Sequence, residues 1–294
     1  MLELDHFSNG WVTPVLAYTM SVAGSMLGLR CAVHARSSYW PAGWLIAAAV
    51  ALGGAGIWVM HFTAMLGFSI RGGTIRYNVP MTLLSAAVAI VVVWIGLSVV
   101  VRWQREALAL PIGGAITGLG VAAMHYLGMY AMNTDATVGY DLGTVALSLV
   151  IAVVAATAAL WFMLHVSGFG ATIGAALIMG LAVCGMHYTG MASMHAQHVG
   201  QHAVLPDGAD PMQLITPLIL TVTVITIMLV AVVGLAELDE LSKPDPLPVP
   251  ARPAAAQPRS TQSGATRRKS TTLATAPADL PRSGREWPRR EMQD

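Results

Sequence analysis

The 294-residue sequence predicts an all-α, polytopic membrane protein of seven transmembrane helices, with its N-terminus outside and its C-terminus inside. Three observations carry this reading. Charge is sparse and crowded toward the C-terminus, seven apolar runs reach spanning length, and one Met-His pattern recurs three times at the ends of alternate runs.

Charge sets the first boundary. The chain is 55% hydrophobic and only 11% charged, where a soluble domain carries about 25% charged residues. Of sixteen Lys and Arg, six lie before residue 240 (Arg30, Arg36, Arg71, Arg76, Arg102 and Arg105) and ten after it. The net charge of +1 therefore averages two unlike parts, a membrane domain over 1–240 and a tail over 241–294. A basic pI averaged over two such parts says nothing about nucleic acid, and no nucleic-acid partner is expected. The opening residues, MLELDHFSNG, lack the basic segment of a cleaved signal, so the first apolar run is read as a retained helix. Cys31 and Cys184 stand far apart without framework spacing, and predict neither a disulfide nor a zinc site.

A spanning helix needs roughly 20 apolar residues, which predicts spans at about 11–30, 43–68, 80–101, 110–133, 143–165, 170–193 and 213–235. Pro80 and Pro111 are placed at the openings of the third and fourth spans, where a missing N–H costs least, and Pro14 and Pro217 near the starts of theirs. Arginine placement gives direction. Arg30, Arg36, Arg102 and Arg105 fall in the first and third connections, and the tail is basic, whereas the fourth and sixth connections carry no Lys or Arg. Positive charge inside then requires an outside N-terminus, with Arg71 and Arg76 as the exceptions. On this topology the second, fourth and sixth helices all end near the outer face.

The repeat sits at those ends. VMHFTAMLGF at 59–68, AMHYLGMYAM at 123–132 and GMHYTGMASMH from Gly185 to His195 place His61, His125 and His187 at intervals of 64 and 62 residues. That interval is two helices with their connections, so the chain contains three parallel helix-pair repeats about an axis along the membrane normal. Counted from each histidine, position −7 is Gly54, Gly118 and Gly180, position +3 is Ala64, Gly128 and Gly190, and position +4 is Met65, Met129 and Met191. These positions share the histidine's helical face, which is expected to pack closely against other helices. Eight of seventeen methionines fall in the 27 residues of 60–68, 124–132 and 186–194. Uniform scatter would place about two there, so ordinary usage does not explain them.

An ionisable side chain in a span faces the bundle interior and has a partner. Each histidine here is flanked by methionine at −1 (Met60, Met124 and Met186) and at +4. Soft thioether and borderline imidazole together suit copper, above all Cu(I). The expected metal set is therefore Met60, His61, Met65, Met124, His125, Met129, Met186, His187 and Met191. The second imidazole nitrogen of a ligand is expected to meet an outer acceptor. Tyr126 and Tyr188 at +1 carry hydroxyls nearby, although Phe62 holds that place in the first copy. A methionine stripe serving as adaptable core is the competing explanation, and bis-His haem is a second cofactor reading. Cys184 shares a face with His187 but is not repeated. His195, His198 and His202 form an outer tract, read as a solvated loop in preference to a metal site. His6, His34 and His165 carry no neighbouring pattern.

Met124-His125-Tyr126, Met186-His187-Tyr188-Thr189 and the variant Met60-His61-Phe62-Thr63 resemble the MHYT domain, a bacterial integral-membrane sensor module. The resemblance covers about 1–240. It implies a bacterial cytoplasmic-membrane location and a role in sensing oxygen, carbon monoxide or nitric oxide. It further implies copper held by the motif Met and His residues, and a cytoplasmic signalling partner. Many members continue into catalytic signalling domains, whereas this chain is read as a stand-alone member whose Pro-, Ala- and Arg-rich tail is disordered. No catalytic motif is present, so a non-enzymatic sensor in the lipid bilayer is expected. A copper transport or delivery protein is the alternative. Against it, no Asp, Glu or Lys interrupts a span.

Overall fold

A computed structural model describes residues 3–71, 73–198 and 206–242. All seven predicted spans are present: α1 (Val12–Ser37), a second span over Pro41–Met65, α4 (Val79–Arg102), α5 (Glu106–Tyr130), α6 (Leu142–His165), α7 (Phe169–Ala192) and α8 (Pro211–Ser242). The second span is composite, with α2 (Pro41–Ala49), a π-helical segment (Val50–Val59) and α3 (Met60–Met65). Apart from the last residues of α8, the predicted tail lies outside the described residues.

Two prolines sit deeper than expected. α5 begins at Glu106, so Pro111 falls in its second turn and does not open it. The charge of Glu106 ends the apolar run, yet an acidic first-turn residue suits the positive end of the helix dipole. Pro217 likewise lies inside α8. In both cases the lost bond is close to a helix start, where a carbonyl is most easily satisfied otherwise.

α1 packs on α2 and the π segment, the π segment on α4, α4 on α5, α5 on α6, α6 on α7, and α7 returns to α1. Six helices thus close a ring of three pairs, and α8 lies against the π segment and α1. Glycines make the seams. A Cβ added at Gly118 would lie 2.5 Å from the Val153 Cα, and one at Gly180 would lie 2.7 Å from Val22 Cγ2. Backbones approach this closely because, in lipid, packing replaces the hydrophobic driving force between helices.

The first copy corrects the expected alignment. Gly54, at −7, has only side-chain atoms of Val222 and Ile90 near it, at 3.8 and 3.9 Å. Gly53, at −8, is the true counterpart, with its added Cβ 2.7 Å from the Ala89 carbonyl of α4. The first copy therefore holds one extra residue between glycine and histidine. The i→i+5 bonding of a π-helix absorbs such a residue, and His61 still arrives level with the other two.

The outward faces are apolar: Leu181, Val154, Leu220 and Ile227 are each more than 60% exposed, as lipid-facing residues are. Exposed aromatics ring both ends, Tyr39, Trp40, Trp103 and Trp161 at one and Trp11 and Tyr130 at the other. Such belts mark the two membrane interfaces.

The histidine end carries short strands that the sequence reading did not include: β1 (Leu4–Asp5), β2 (Ser69–Ile70), β3 (Ile75–Tyr77), β4 (Met132–Thr134), β5 (Ala136–Tyr140) and β6 (Met194–His198). They pair antiparallel as β1·β2, β3·β4 and β5·β6. Each connection thereby clasps the next one round the ring. Tyr77 stands opposite Met132, and Tyr140 opposite Met194. The residue after each tyrosine caps the following helix: Asn78 accepts from the Met81 N–H at 3.1 Å and Asp141 from the Thr144 N–H at 2.8 Å. Side-chain oxygens at these positions satisfy N–H groups that the helix leaves unpaired.

Candidate metal centre

The ring brings His61, His125 and His187 together from α3, α5 and α7. Each is at most 1% exposed. The Nδ1 of His61 lies 2.9 Å from that of His187 and 3.2 Å from that of His125. The three rings stand edge to face, with centroids 4.9, 4.9 and 5.1 Å apart. Each also rests edge-on against its own +1 aromatic, Phe62, Tyr126 or Tyr188, at 4.8 or 4.9 Å. The threefold pattern of the sequence is a threefold arrangement in space.

Two close approaches hold the rings there. A methyl added at Gly128 would collide with Nε2 of His61, and one at Gly190 with Nε2 of His125. The small residue at +3 therefore does more than let backbones meet: the glycine of one copy seats the imidazole of the preceding copy. The sequence had shown the smallness but not its recipient.

Hydrogen bonding alone cannot satisfy the cluster. A neutral imidazole Nδ1 offers either one N–H or one lone pair, in the ring plane. His61 Nδ1 faces two neighbours of the same kind and can serve only one. The far nitrogens of His61 and His125 are buried without a hydrogen-bond partner. The expected outer acceptor is thus missing for these two, and the tyrosines do not supply it. The Tyr126 hydroxyl pairs with Ser148 at 2.6 Å, and that of Tyr188 is buried without a partner.

These three histidines form a group able to hold one metal ion, and among the described residues no carboxylate or thiol joins it. The six methionines are each at most 2% exposed, in several settings. Met60 packs with Ala17, Ala64 and Cys184, Met186 lines an internal cavity, and Met129 lines an outer cleft with Met81 and Met132. Met65, Met124 and Met191 belong to the main core.

Histidines without a sequence pattern acquire places. His6 follows β1 and packs against Phe68 at 5.4 Å, so it occupies the station that Tyr77 and Tyr140 hold in the other copies. Burial lowers its basicity despite the neighbouring Asp5 carboxylate. His34 stacks on Trp44 at 4.8 Å, beside the ion pair of Arg30 with Glu237 that ties α8 to α1. His195 stands opposite Gly139 across β5 and β6, while His202 lies outside the described residues. The signal for His6 was available only as register, since no motif surrounds it.

Comparison with known proteins agrees with this architecture. The MHYT family, described as a bacterial signalling protein N-terminal repeat, matches residues 54–113 and 118–176. Those segments contain the first two histidines, and the third copy lies beyond them. A bifunctional diguanylate cyclase/cyclic di-GMP phosphodiesterase, MucR of Pseudomonas aeruginosa, is 42% identical over 51% of this chain and 22% of its own length. The cyclic di-GMP phosphodiesterase NbdA of the same organism is 36% identical over 48% of this chain and 19% of its own. An uncharacterized signaling protein of Caulobacter vibrioides is 33% identical over 66% of this chain and 23% of its own. The chain spans about a fifth of the length of these curated relatives. No solved structure matches it. Seven apolar helices, the repeated Met-His helix ends and the two matched segments give this chain MHYT repeats of the kind found in bacterial signalling proteins, in a multi-pass protein of the inner membrane.

Proposed function

We propose that the histidine triad binds Cu(I) near the outer membrane face, and that a diatomic gas or a redox change at this centre is the stimulus of the signalling module. The observation that carries the reading is the convergence of three buried Nδ1 atoms, 2.9 and 3.2 Å apart, that cannot all hydrogen-bond to one another. Three nitrogens each about 2.0 Å from one ion stand roughly 3.3–3.5 Å apart. The two close Nδ1 separations about His61 need to open by only a few tenths of an ångström to fit. Burial selects the charge. Desolvation rises with the square of the charge, and among the described residues no anion joins the cluster, which favours a monovalent soft ion over a divalent one. Bound Cu(I) would supply an electron-rich centre open to diatomic ligands and to oxidation. In this reading a further ligand would come from one of the buried methionines beside the histidines in sequence, Met60, Met65, Met124, Met129, Met186 or Met191. Haem is less well supported, because two axial nitrogens across one iron stand about 4 Å apart with a macrocycle between them.

The outside placement of the triad follows from charge. Arg30, Arg36, Arg102 and Arg105 lie at the end opposite the triad. The two exceptions at the triad end have partners, Arg71 with Glu3 at 2.7 Å and Arg76 with the Gly208 carbonyl at 3.3 Å. The output path is α8, held to α1 by the Arg30–Glu237 pair. The test is elemental analysis of gently purified protein. One copper per chain, lost with any single His→Ala substitution in a protein that still inserts, is the expected result. Metal-free wild-type protein would refute the reading, and copper uptake by cells with and without the gene separates sensing from transport.

A further inference from the structure

One helical turn beneath the triad lies a partly enclosed apolar space. Ile57, Val121 and Val183 stand at −4 from His61, His125 and His187, and all three line one cavity of about 40 Å³. Met186, the residue before His187, lines it as well. All three copies thus contribute a residue one turn below their histidine, and the cavity extends from there toward α6. Its outer wall is α6, which contributes Ala152, Ala155, Ala156 and Ala159.

The space has an identifiable cause. The glycine seams align α4 with α6, because Gly53 meets Ala89 and Ile90 just as Gly118 meets Ala152 and Val153. In that alignment Ala155 and Ala156 of α6 correspond to Val92 and Val93 of α4. The corresponding valine in α4, Val93, is 1% exposed and fills its site. Two missing pairs of methyl groups leave the opening on the α6 side. A void forfeits dispersion contacts on every atom that lines it, so an unfilled one beside a cluster of ligating side chains calls for an occupant.

Size and lining define that occupant. A single water needs about 10–15 Å³ measured in this way, together with two to four polar partners. The cavity offers roughly three times that room, and Thr117 is the one polar side chain among its lining residues. Apolar cavities of this kind stay dry and take up apolar guests such as xenon. A diatomic molecule of two second-row atoms has the right volume and no need of hydrogen bonds. It also dissolves better in the hydrocarbon of the bilayer than in water, and α6 contributes only alanines to the cavity wall.

We infer that this cavity is a docking site for an apolar diatomic gas, reached from the membrane through the alanine wall of α6 and opening upward to the histidine triad. The role as antechamber rests on the triad being the metal centre proposed above. Occupancy of the cavity by an apolar gas does not, and the test separates the two.

Xenon is the probe for the cavity itself. Purified full-length protein in lipid nanodiscs is exposed to pressurised xenon, and the bound gas is read by its NMR shift. Ala156→Val, which restores the residue that α4 carries, is the paired variant; Ala155→Val, copied from Val92, serves if the first fails to insert. The expected result is one saturable xenon site in the wild type that the valine variant removes. Absence of the site in the wild type, or its persistence in the variant, overturns the inference whether or not copper is present. The second arm uses Cu(I)-loaded protein and carbon monoxide. Rebinding after photolysis should slow about tenfold in the valine variant while copper per chain is unchanged. An unchanged rate in a variant that has lost xenon would overturn the antechamber role. Absence of copper with xenon still bound would instead remove the metal reading and leave the cavity assignment standing.

Discussion

Gly190→Ala adds one methyl group to the protein, and the structure says where it goes. The new Cβ would collide with Nε2 of His125 and lie 2.9 Å from its Cδ2 and 3.2 Å from its Cε1. Ordinary contact begins near 3.4 Å, so the whole outer edge of the ring must retreat. It cannot simply advance, because its Nδ1 is already 3.2 Å from that of His61. The ring must tilt, moving its nitrogen by about 1 Å, and overpacking of this kind costs about 1–3 kcal/mol. Metal–ligand distances tolerate about 0.2 Å, so a ligand displaced this far is effectively lost.

Copper affinity should therefore fall about 100-fold or more, a loss at the upper end of what weakening a ligand's support produces. Competition against a chromogenic Cu(I) chelator measures the affinity, and thermal unfolding in detergent measures the cost in stability. Gly128→Ala should act alike through His61. Gly185→Ala is the control: it adds the same methyl to the same helix, with nothing within 4 Å of it. Wild-type copper affinity in Gly190→Ala would refute the seating of His125 by Gly190, as would an equal loss in the Gly185 control.

Ala17 occupies in α1 the position that Ser148 holds in α6, and Tyr188 packs against it with an unpaired hydroxyl. Ala17→Ser should therefore raise stability by about 0.5–1.5 kcal/mol, and no gain when Tyr188 is already phenylalanine; a gain that survives Tyr188→Phe would discredit the pairing. Asp141, held below the usual carboxylate range by the Thr144 N–H and hydroxyl, should contribute stability above its unfolded pKa of about 3.9 that is lost as pH falls through its folded value. Asp141→Asn, still a competent cap, should flatten that acid limb in thermal unfolding, and an unaltered limb would show that another group causes it. Reporter fusions after Gly139 should behave as external and fusions after Val166 as internal; the reverse pattern would move the triad to the cytoplasmic side.

What could be read from the residues alone follows from how each feature is encoded. The spans and the triad were legible because both are written in composition and in three-fold repetition, which survive uncertainty about any one position. The strands were not, since pieces of two to five residues are too short for alternation to register. Their consequence, the station shared by His6, Tyr77 and Tyr140, exists only through pairing between distant segments. The copy-one glycine was misassigned for a different reason: a fixed offset assumes α-helical spacing throughout, and Gly53 precedes the histidine through a π segment.

The departures of the first copy are not scattered. The π segment, Phe62 in place of tyrosine and Ala64 in place of glycine all lie on the span of the ring that α8 packs against most, with α1 as its other neighbour. Three equivalent pairs would form a symmetric ring with no preferred exit for a change at its centre. A seventh helix must break that symmetry at one copy, and the copy it touches needs a surface the other two do not have. The extra residue does this work. It turns Gly54 outward to Val222 of α8 while Gly53 keeps the seam with α4. One span thus faces the triad through His61 and α8 through the π segment, within eight residues. Displacement of His61 would have a direct mechanical route to α8, whereas a shift at His187 would reach it through α7 and α1, the other helix against which α8 lies.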